Sequence, residues 1–523
     1  MSFIIDRRGL LAGGAATAAT AFSTAGLAAP TTPFTLGVAA GDPLTDGFVI
    51  WTRLASRPLA EDGQGGMSAP VDVRWEVAED PAFRRVAQKG RATAHRALAH
   101  AVHVEVGGLN PGRPYWYRFI AQGHRSAAGK AATAPQRETR QAPVKLAVAS
   151  CSHYEAGYFA AYRHMAAEEP DVVAFLGDYF YEYSYQGGTR ADRVVRPYDQ
   201  PKEVKTLAQY RNRYAIHRRD PDLQALHAAA PCLMTWDDHE VQNDYAGRWS
   251  QNPNIPVDEF LQRRAAAYQA YYEHMPLRAR SFPKGPDMRI YDRLRYGDLV
   301  EFTVLDGRQL RTHMQPCALP ETRRGHVAPV SCPDLADASR SMLGFEQERW
   351  LADGFRRADA RWNVVCQDLL IARLKQVGAD GAVGHYTDGW DGYQATRSRM
   401  LTALSAAGTR NPVFLAGDVH SFWANDLKAD FNDPGSKTVA TEFVGTSITS
   451  DNPPHERFQT LLPNNPHVKF MDARHHGYMA LTIAPDRIDV RYQAISDRKD
   501  PKASVSTLTR FVVEDGKTGV VAA

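Results

Sequence analysis

Four short apolar runs in this chain each stop at a residue able to bind a cation, and that repeated pattern constrains the fold more than any other feature. Val172-Val173-Ala174-Phe175-Leu176 is β-rich and ends at Gly177-Asp178, with Tyr181 one turn further on. Such a run reads as a buried parallel strand that delivers Asp178 to its carboxyl end, where open α/β sheets place their ligand sites. Val144 to Ala149 ends at Ser150-Cys151-Ser152, Pro231 to Trp236 at Asp237-Asp238-His239-Glu240, and Pro412 to Ala416 at Gly417-Asp418-Val419-His420. A single Asp-and-Tyr turn is weak evidence, because Asp also caps helices and Tyr also fills cores. Four strand ends carrying Cys151, Asp178 with Tyr181, Asp238 with His239, and Asp418 with His420 point to convergence on a metal pair about 3.5–4 Å apart.

A helix-prone segment from Tyr158 to Glu169 separates the first two runs, so the chain there is a βαβ unit and the sheet begins parallel. Further strands are expected at Leu299–Asp306 and Trp362–Gln367, and the alternating tail from Lys437 onward adds more. Between Phe34 and about Ala134 the pattern differs. Short alternating segments such as Phe48-Val49-Ile50-Trp51 and Tyr115-Trp116-Tyr117-Arg118-Phe119, separated by turns such as Asn110-Pro111-Gly112, predict a small β-sandwich of immunoglobulin or fibronectin type. His95, His100 and His103 in that region have no neighbouring carboxylate and read as surface or strand polar residues. The expected architecture is α/β in layers, a two-sheet sandwich flanked by helices over residues 144–515, preceded by the small sandwich at 34–134.

Residues 1–29 read as an export signal rather than a membrane anchor: Asp6-Arg7-Arg8-Gly9-Leu10-Leu11 precedes a mild Ala/Gly/Thr run that ends in small residues. The arginine pair indicates the twin-arginine route, with the Tat machinery as export partner and a periplasmic or secreted destination; a general secretory signal is the alternative. No membrane span is expected in the mature chain. The formal charge of +3 over 523 residues makes no electrostatic case for a nucleic-acid partner. Of five cysteines, Cys317 and Cys332 flank a Pro-rich charged loop and form the natural disulfide pair, worth about 3 kcal/mol. Cys232 and Cys366 lie in apolar, strand-like surroundings and read as inert core residues.

Gly177-Asp178-Tyr179-Phe180-Tyr181, Trp236-Asp237-Asp238-His239-Glu240 and Gly417-Asp418-Val419-His420 together resemble the blocks of the calcineurin-like metallophosphoesterases, specifically the PhoD-like alkaline phosphatase/phosphodiesterase family. Phe443 to Ser450, Trp390-Asp391-Gly392-Tyr393 and the N-terminal sandwich fit the same family. Related enzymes open on Asp-x-His where this strand ends Ser150-Cys151-Ser152, carry Gly-Asn-His-Glu where this chain has Asp237 to Glu240, and place a histidine where Asp418 stands. A further histidine of those relatives corresponds here to Gln367.

The donors divide by softness. Cys151, Tyr181 and His420 suit Fe³⁺, whereas Asp238, Asp418 and Gln367 offer oxygen only and favour Ca²⁺, with Asp178 bridging; the resemblance implies the same iron and calcium cluster. It also implies an exported, metal-dependent hydrolase of phosphate monoesters or diesters in which metal-activated water attacks phosphorus. His239, beside ligand Asp238, is the expected proton donor to the leaving oxygen, the alternative being plain support of Asp238. Arg308, or Arg474 with His475, would clamp phosphate, or equally form structural ion pairs. Trp390, Asp391 and Tyr393 would wall the substrate or simply pack. A reading from another class makes the sandwich a binding or adhesion module on a non-catalytic scaffold.

Overall fold

Val144–Ala149, Val172–Leu176 and Pro231–Thr235 lie side by side and parallel, with Val148 opposite Ala174 and Leu233 opposite the same residue on the other side. Their side chains alternate between two apolar environments, as a period of two requires. Leu146, Val148, Val172, Ala174, Leu176 and Leu233 face a second sheet. Ala147, Ala149, Val173, Phe175, Cys232 and Met234 face helices. A strand apolar on both faces is stable only with a layer on each side, and both layers are present in this computed structural model, which describes residues 32–139, 142–312, 315–318, 321–377, 383–433 and 435–523.

The larger sheet has ten strands, in the order Val521–Ala522, Val505–Glu514, Arg487–Ile495, Gly477–Ile483, Val144–Ala149, Val172–Leu176, Pro231–Thr235, Val38–Leu44, Gly47–Arg53, Ala101–Val106. The second has seven: Asp292–Tyr296, Val300–Val304, Trp362–Cys366, Pro412–Ala416, Thr438–Val444, Phe422–Lys428, Val468–Asp472. Its four inner strands from Val300–Val304 to Thr438–Val444 are parallel. Val364, Cys366, Val413 and Leu415 meet the first sheet, while Val365 and Phe414 pack under the helices Phe345–Arg357 and Gln394–Ala407. The layers therefore run helix, sheet, sheet, helix. Each fully buried side chain of Val or Leu size contributes about 1.5–3 kcal/mol to holding them together.

The N-terminal sandwich forms, but not as a module set in front of the catalytic sheet. Val38–Leu44 pairs in parallel with Pro231–Thr235, with Ala40 opposite Pro231 and Gly41 opposite Cys232, so one of its two sheets is a continuation of the large sheet. The other sheet, built on Val71–Ala78 and Pro114–Ala121, closes over it around Ile50, Val73, Val102, Tyr117 and Phe119. The histidine reading holds for His95, at the surface, and for His103, in strand Ala101–Val106, and is corrected for His100. His100 is buried, and the His103 ring bonds the carbonyls of Tyr272 and Met275 at the end of helix Val257–His274; of the three only His95 is exposed. Trp51 donates to the Glu273 carbonyl at 3.0 Å, and Glu273 in turn holds Arg211 through two 2.6 Å bonds. Polar bonds as well as sheet pairing thus seal the two regions together.

Cys317 and Cys332 are joined, with their Cα atoms 6.4 Å apart, and Cys151, Cys232 and Cys366 are free and buried. Burial pushes the Cys232 and Cys366 thiols up to about 12, as inert core residues require. Among the described residues no helix is long and apolar enough to cross a membrane. The signal at 1–29 lies outside the described residues.

Candidate metal centre

Parallel pairing puts the carboxyl ends of all four runs at one edge of the two sheets, and two glycines let those ends touch. A Cβ on Gly177 (φ +92°) would lie 2.5 Å from the Asp237 Cβ, and one on Gly417 would lie 2.4 Å from the Ser150 Oγ. The turns are also strained: Cys151, Asp178, Asp418 and His420 have φ of 62°, 52°, 63° and 49°. Left-handed conformations cost a residue with a Cβ roughly 1–3 kcal/mol each, and such strain persists where the surroundings over-determine it. Here they do. The Cys151 and Ser152 amides donate to the Gly177 and Asp178 carbonyls, while the Glu240 carboxylate accepts from the amides of Asp178, Tyr179 and Asp237.

Three groups of ligand atoms result, each group lying within 4.8 Å: Cys151, Asp178 and His420; Asp178, Asp238 and His239; and Asp238, Asp244 and Asp388. Asp178 is common to the first two, which is the position a bridging ligand must occupy. Tyr181 completes the first group, its hydroxyl 2.8 Å from Asp178 Oδ2 and 2.9 Å from His420 Nε2. His420 is oriented by its other nitrogen, 2.9 Å from the Asp451 carbonyl. Oδ1 of Asp178 is buried without a partner. Asp418 stands at the mouth, its carboxylate 3.9 Å from Arg308 Nη2, the same atom that lies 3.9 Å from Asp238.

The charge balance is lopsided. One buried guanidinium, Arg308, faces Asp237, Asp238, Asp368, Asp388 and Asp418, and Arg311 adds a second guanidinium contact, 3.1 Å from Asp388. Burial drives the Asp178, Asp368 and Asp418 carboxyls well above the usual range, and neighbouring carboxylates push them further. Burial would raise Asp238 as well, but Arg308 and His239 hold it down to about 2. Buried carboxylates in this excess, with unpartnered oxygens on Asp178, Asp237 and Asp368, fit a site built for multivalent cations.

His239 lies against this cluster. Its Nδ1 is 2.7 Å from Glu182, and its ring sits 4.1 Å from that of Tyr181. Burial opposes its protonation, but the Asp238, Glu182 and Asp178 carboxylates outweigh burial and raise it well above the ordinary histidine value.

Several expected roles change. Arg308 is fully buried beneath the carboxylates and paired with Asp237 and Asp388, which is the structural ion pair of its two expected roles rather than the phosphate clamp. Gln367 is turned away: its carboxamide bonds the Leu369 backbone and accepts from Trp390 Nε1, and its neighbour Asp368 points toward Arg308 in its place. Arg474 and His475 are both tied to the buried Asp472. Trp390 and Tyr393 are buried, and Asp391 is held by Arg397, so that turn packs rather than lines a substrate path.

The sequence reading missed Asp244, Asp388 and Glu182. Asp388 is two residues before the Trp390 turn and Asp244 six after Asp238, both in stretches without strand or helix, where no periodicity marks a residue as inward.

Comparison with known proteins agrees with this geometry. Residues 146–492 match the model of the PhoD-like phosphatase family, and residues 18–135 match that of the PhoD-like phosphatase N-terminal domain. The chain is 42% identical over 491 residues to alkaline phosphatase D of Bacillus subtilis (strain 168), covering 93% of this chain and 82% of that protein. It also superposes on a solved structure of PhoD with a TM-score of 0.88 at 42% identity, covering 94% of this chain and 92% of the other. With its ligand-bearing turns gathered at one edge of a two-sheet sandwich, this chain belongs to the PhoD-like phosphatase family and is a phosphoesterase.

Proposed function

We propose that the chain is an exported, metal-dependent alkaline phosphatase acting on phosphate monoesters, diesters or both by direct attack of water, with no covalent phosphoenzyme. The carrying observation is the sharing of Asp178 between a group that contains a thiol, an imidazole and a phenol and a second group, with Asp238 and His239, which Asp238 links in turn to the carboxylates of Asp244 and Asp388. Cys151, Asp178, Tyr181 and His420 would hold Fe³⁺, and Asp238 and Asp418, joined by Asp388 and Asp244, would hold Ca²⁺. Bound there, the cations supply the positive charge that lowers the pKa of water and neutralises charge developing on the phosphoryl oxygens.

The remaining steps belong to the chain itself. Glu182 fixes the His239 ring through Nδ1, which leaves the Nε2 proton free to pass to the departing alcohol oxygen. Arg308 keeps the carboxylates spaced and Asp238 ionised. Because the sandwich shares a sheet with the catalytic strands, it serves as scaffold for the enzyme rather than as a separately acting module.

Metal analysis of protein purified without chelator tests this reading: iron and calcium are expected, together with a visible charge-transfer band. Tyr181→Phe should weaken and shift the band, Cys151→Ser should change it differently, and both should lose activity. Chelation should abolish turnover and Ca²⁺ restore it. A colourless, iron-free enzyme of full activity sinks the iron assignment, and rescue by Zn²⁺ with Ca²⁺ inert sinks the calcium one. Export is supported by Arg7-Arg8 ahead of the mild apolar run. Arg7→Lys combined with Arg8→Lys should strand precursor in the cytoplasm; normal periplasmic activity in that variant would refute the twin-arginine route.

A further inference from the structure

Tyr181 and Glu182 serve two ends of the site, one against Asp178 and His420 and the other against His239, yet the stretch from Tyr181 to Tyr183 is neither strand nor helix. No ladder of backbone bonds holds it. Its carbonyls are nevertheless all taken. Nη1 of Arg213 donates to the Tyr181 carbonyl and, at 3.0 Å, to the Tyr183 carbonyl, while the Glu182 carbonyl between them accepts from the Val204 amide at 2.9 Å. Nη2 of Arg213 donates to the Lys202 carbonyl at 3.0 Å, which ties residues 202–204 to the same guanidinium. Arg213 is buried, with its guanidinium carbon 3.8 Å from the centre of the Tyr198 ring.

Arg213 comes from helix Leu207–Arg218, which bears on two more of the four ligand-bearing turns. Tyr210, three residues before it, donates to the Val241 carbonyl at 2.5 Å, just past Asp237 to Glu240. His217, four residues after it, places Nε2 3.2 Å from the Ser152 carbonyl, next to Cys151. Spacings of three and four put these side chains on one side of the helix. All three are buried, and each reaches a main-chain carbonyl behind the site instead of packing as an apolar ridge.

We infer that Arg213 is a positioning residue for phosphoester hydrolysis: by holding the Tyr181 and Tyr183 carbonyls it fixes the Glu182 carboxylate against His239 and the Tyr181 phenol against Asp178 and His420. The inference rests on the phosphatase reading in which His239 passes a proton to the leaving oxygen. A carboxylate orients its partner only as well as its own backbone is fixed. With the carbonyls on both sides of it released, Glu182 loses the support that keeps it 2.7 Å from His239 Nδ1, and a misplacement of about 1 Å in a catalytic group costs about 100-fold in rate. Lysine keeps the charge but carries one nitrogen where the fork uses two, so it can serve only part of this set of carbonyls.

The test uses full-length, metal-loaded protein with p-nitrophenyl phosphate as substrate. Arg213→Lys is expected to lower kcat by about 10- to 100-fold with KM little changed, whereas a residue that only supports the fold would lower the urea midpoint and leave kcat of the folded protein alone. Arg213→Gln serves the same purpose if the lysine variant does not fold. In a Glu182→Gln background the same substitution should cost at least about threefold less than it does alone, because the carboxylate it holds in place is gone. Amide exchange over residues 202–204, read by mass spectrometry, should quicken in the variant, since the Val204 amide loses a fixed acceptor. An unchanged kcat, or the full loss repeated in the Glu182→Gln background, overturns the positioning role. Unchanged exchange at residues 202–204 overturns the claim that Arg213 holds the turn. Failure of the parent on the ester strikes instead at the phosphatase reading beneath, and is told apart because no variant is needed to see it.

Discussion

Asp178→Asn should abolish turnover while leaving the chain folded. Asp178 is common to the group with Cys151 and His420 and the group with Asp238 and His239, so the substitution weakens the hold on both proposed cations at once. The loss should exceed the roughly 10–100-fold that follows removal of an outer partner of a metal ligand. Stability should move the other way in metal-free protein. Burial raises the Asp178 carboxyl well above 3.8, and although His239 opposes this, Asp237, Asp238 and Glu240 add to it. A raised carboxyl means the ionised form opposes folding, so above the ordinary aspartate range the neutral amide removes a cost. Metal-free Asp178→Asn should therefore be at least as resistant to urea as the metal-free parent at pH 7, with the difference fading as pH falls toward 3.8. A variant that keeps more than a tenth of parental activity would show that Asp178 bridges nothing.

Arg308→Met should be the most damaging single change to stability. The guanidinium is wholly buried, contacts Asp237 and Asp388 directly, and lies 3.8–3.9 Å from Asp238, Asp368 and Asp418. Removing one partner from a buried ionic cluster costs about 3–5 kcal/mol, because the charges left behind have lost both water and counter-ion. The expected readout is a lower urea midpoint with the slope unchanged. The pH dependence has a definite sign. Asp238 sits at about 2 in the folded chain, below its unfolded value, so its contribution is present above the unfolded value and lost as pH falls toward 2. Arg308 is a main source of that depression, and the gap between variant and parent should be widest near neutrality and narrow in acid. Calcium should partly rescue the variant if the same carboxylates bind it, since a ligand that binds only the folded form stabilises it. A variant as stable as the parent at pH 7 without metal would mean that the carboxylates are not ionised around Arg308.

The four ligand-bearing turns were legible in the sequence because a strand buried on both faces leaves a continuous apolar run, and the two or three residues after it must stand at the sheet's edge. Cys151, Asp178, Asp238 and Asp418 are all of this kind. Tyr181 and His420 follow by one short turn, and the disulfide follows from two cysteines flanking one loop. The layer architecture followed from the same runs, since strands apolar on both faces need cover on both.

Other residues could be placed only by the tertiary structure. Arg308 follows a strand just as Asp418 does, yet one is sealed at the bottom of the cluster and the other stands at its mouth. Gln367 and Asp368 are adjacent, and the sheet's pleat together with the bonds to Leu369 and Trp390 decides which of them faces Arg308. Asp244, Asp388 and Glu182 lie in irregular segments whose path depends on contacts far apart in the chain, such as the Gly325 amide on Asp244. The joining of the sandwich to the catalytic sheet was equally hidden, because backbone pairing between Ala40 and Pro231 leaves no mark on either residue's identity. Burial writes itself into side-chain chemistry and can be read residue by residue; the direction in which a polar group points, and which edge a strand joins, are set by distant partners and exist only once the chain has closed.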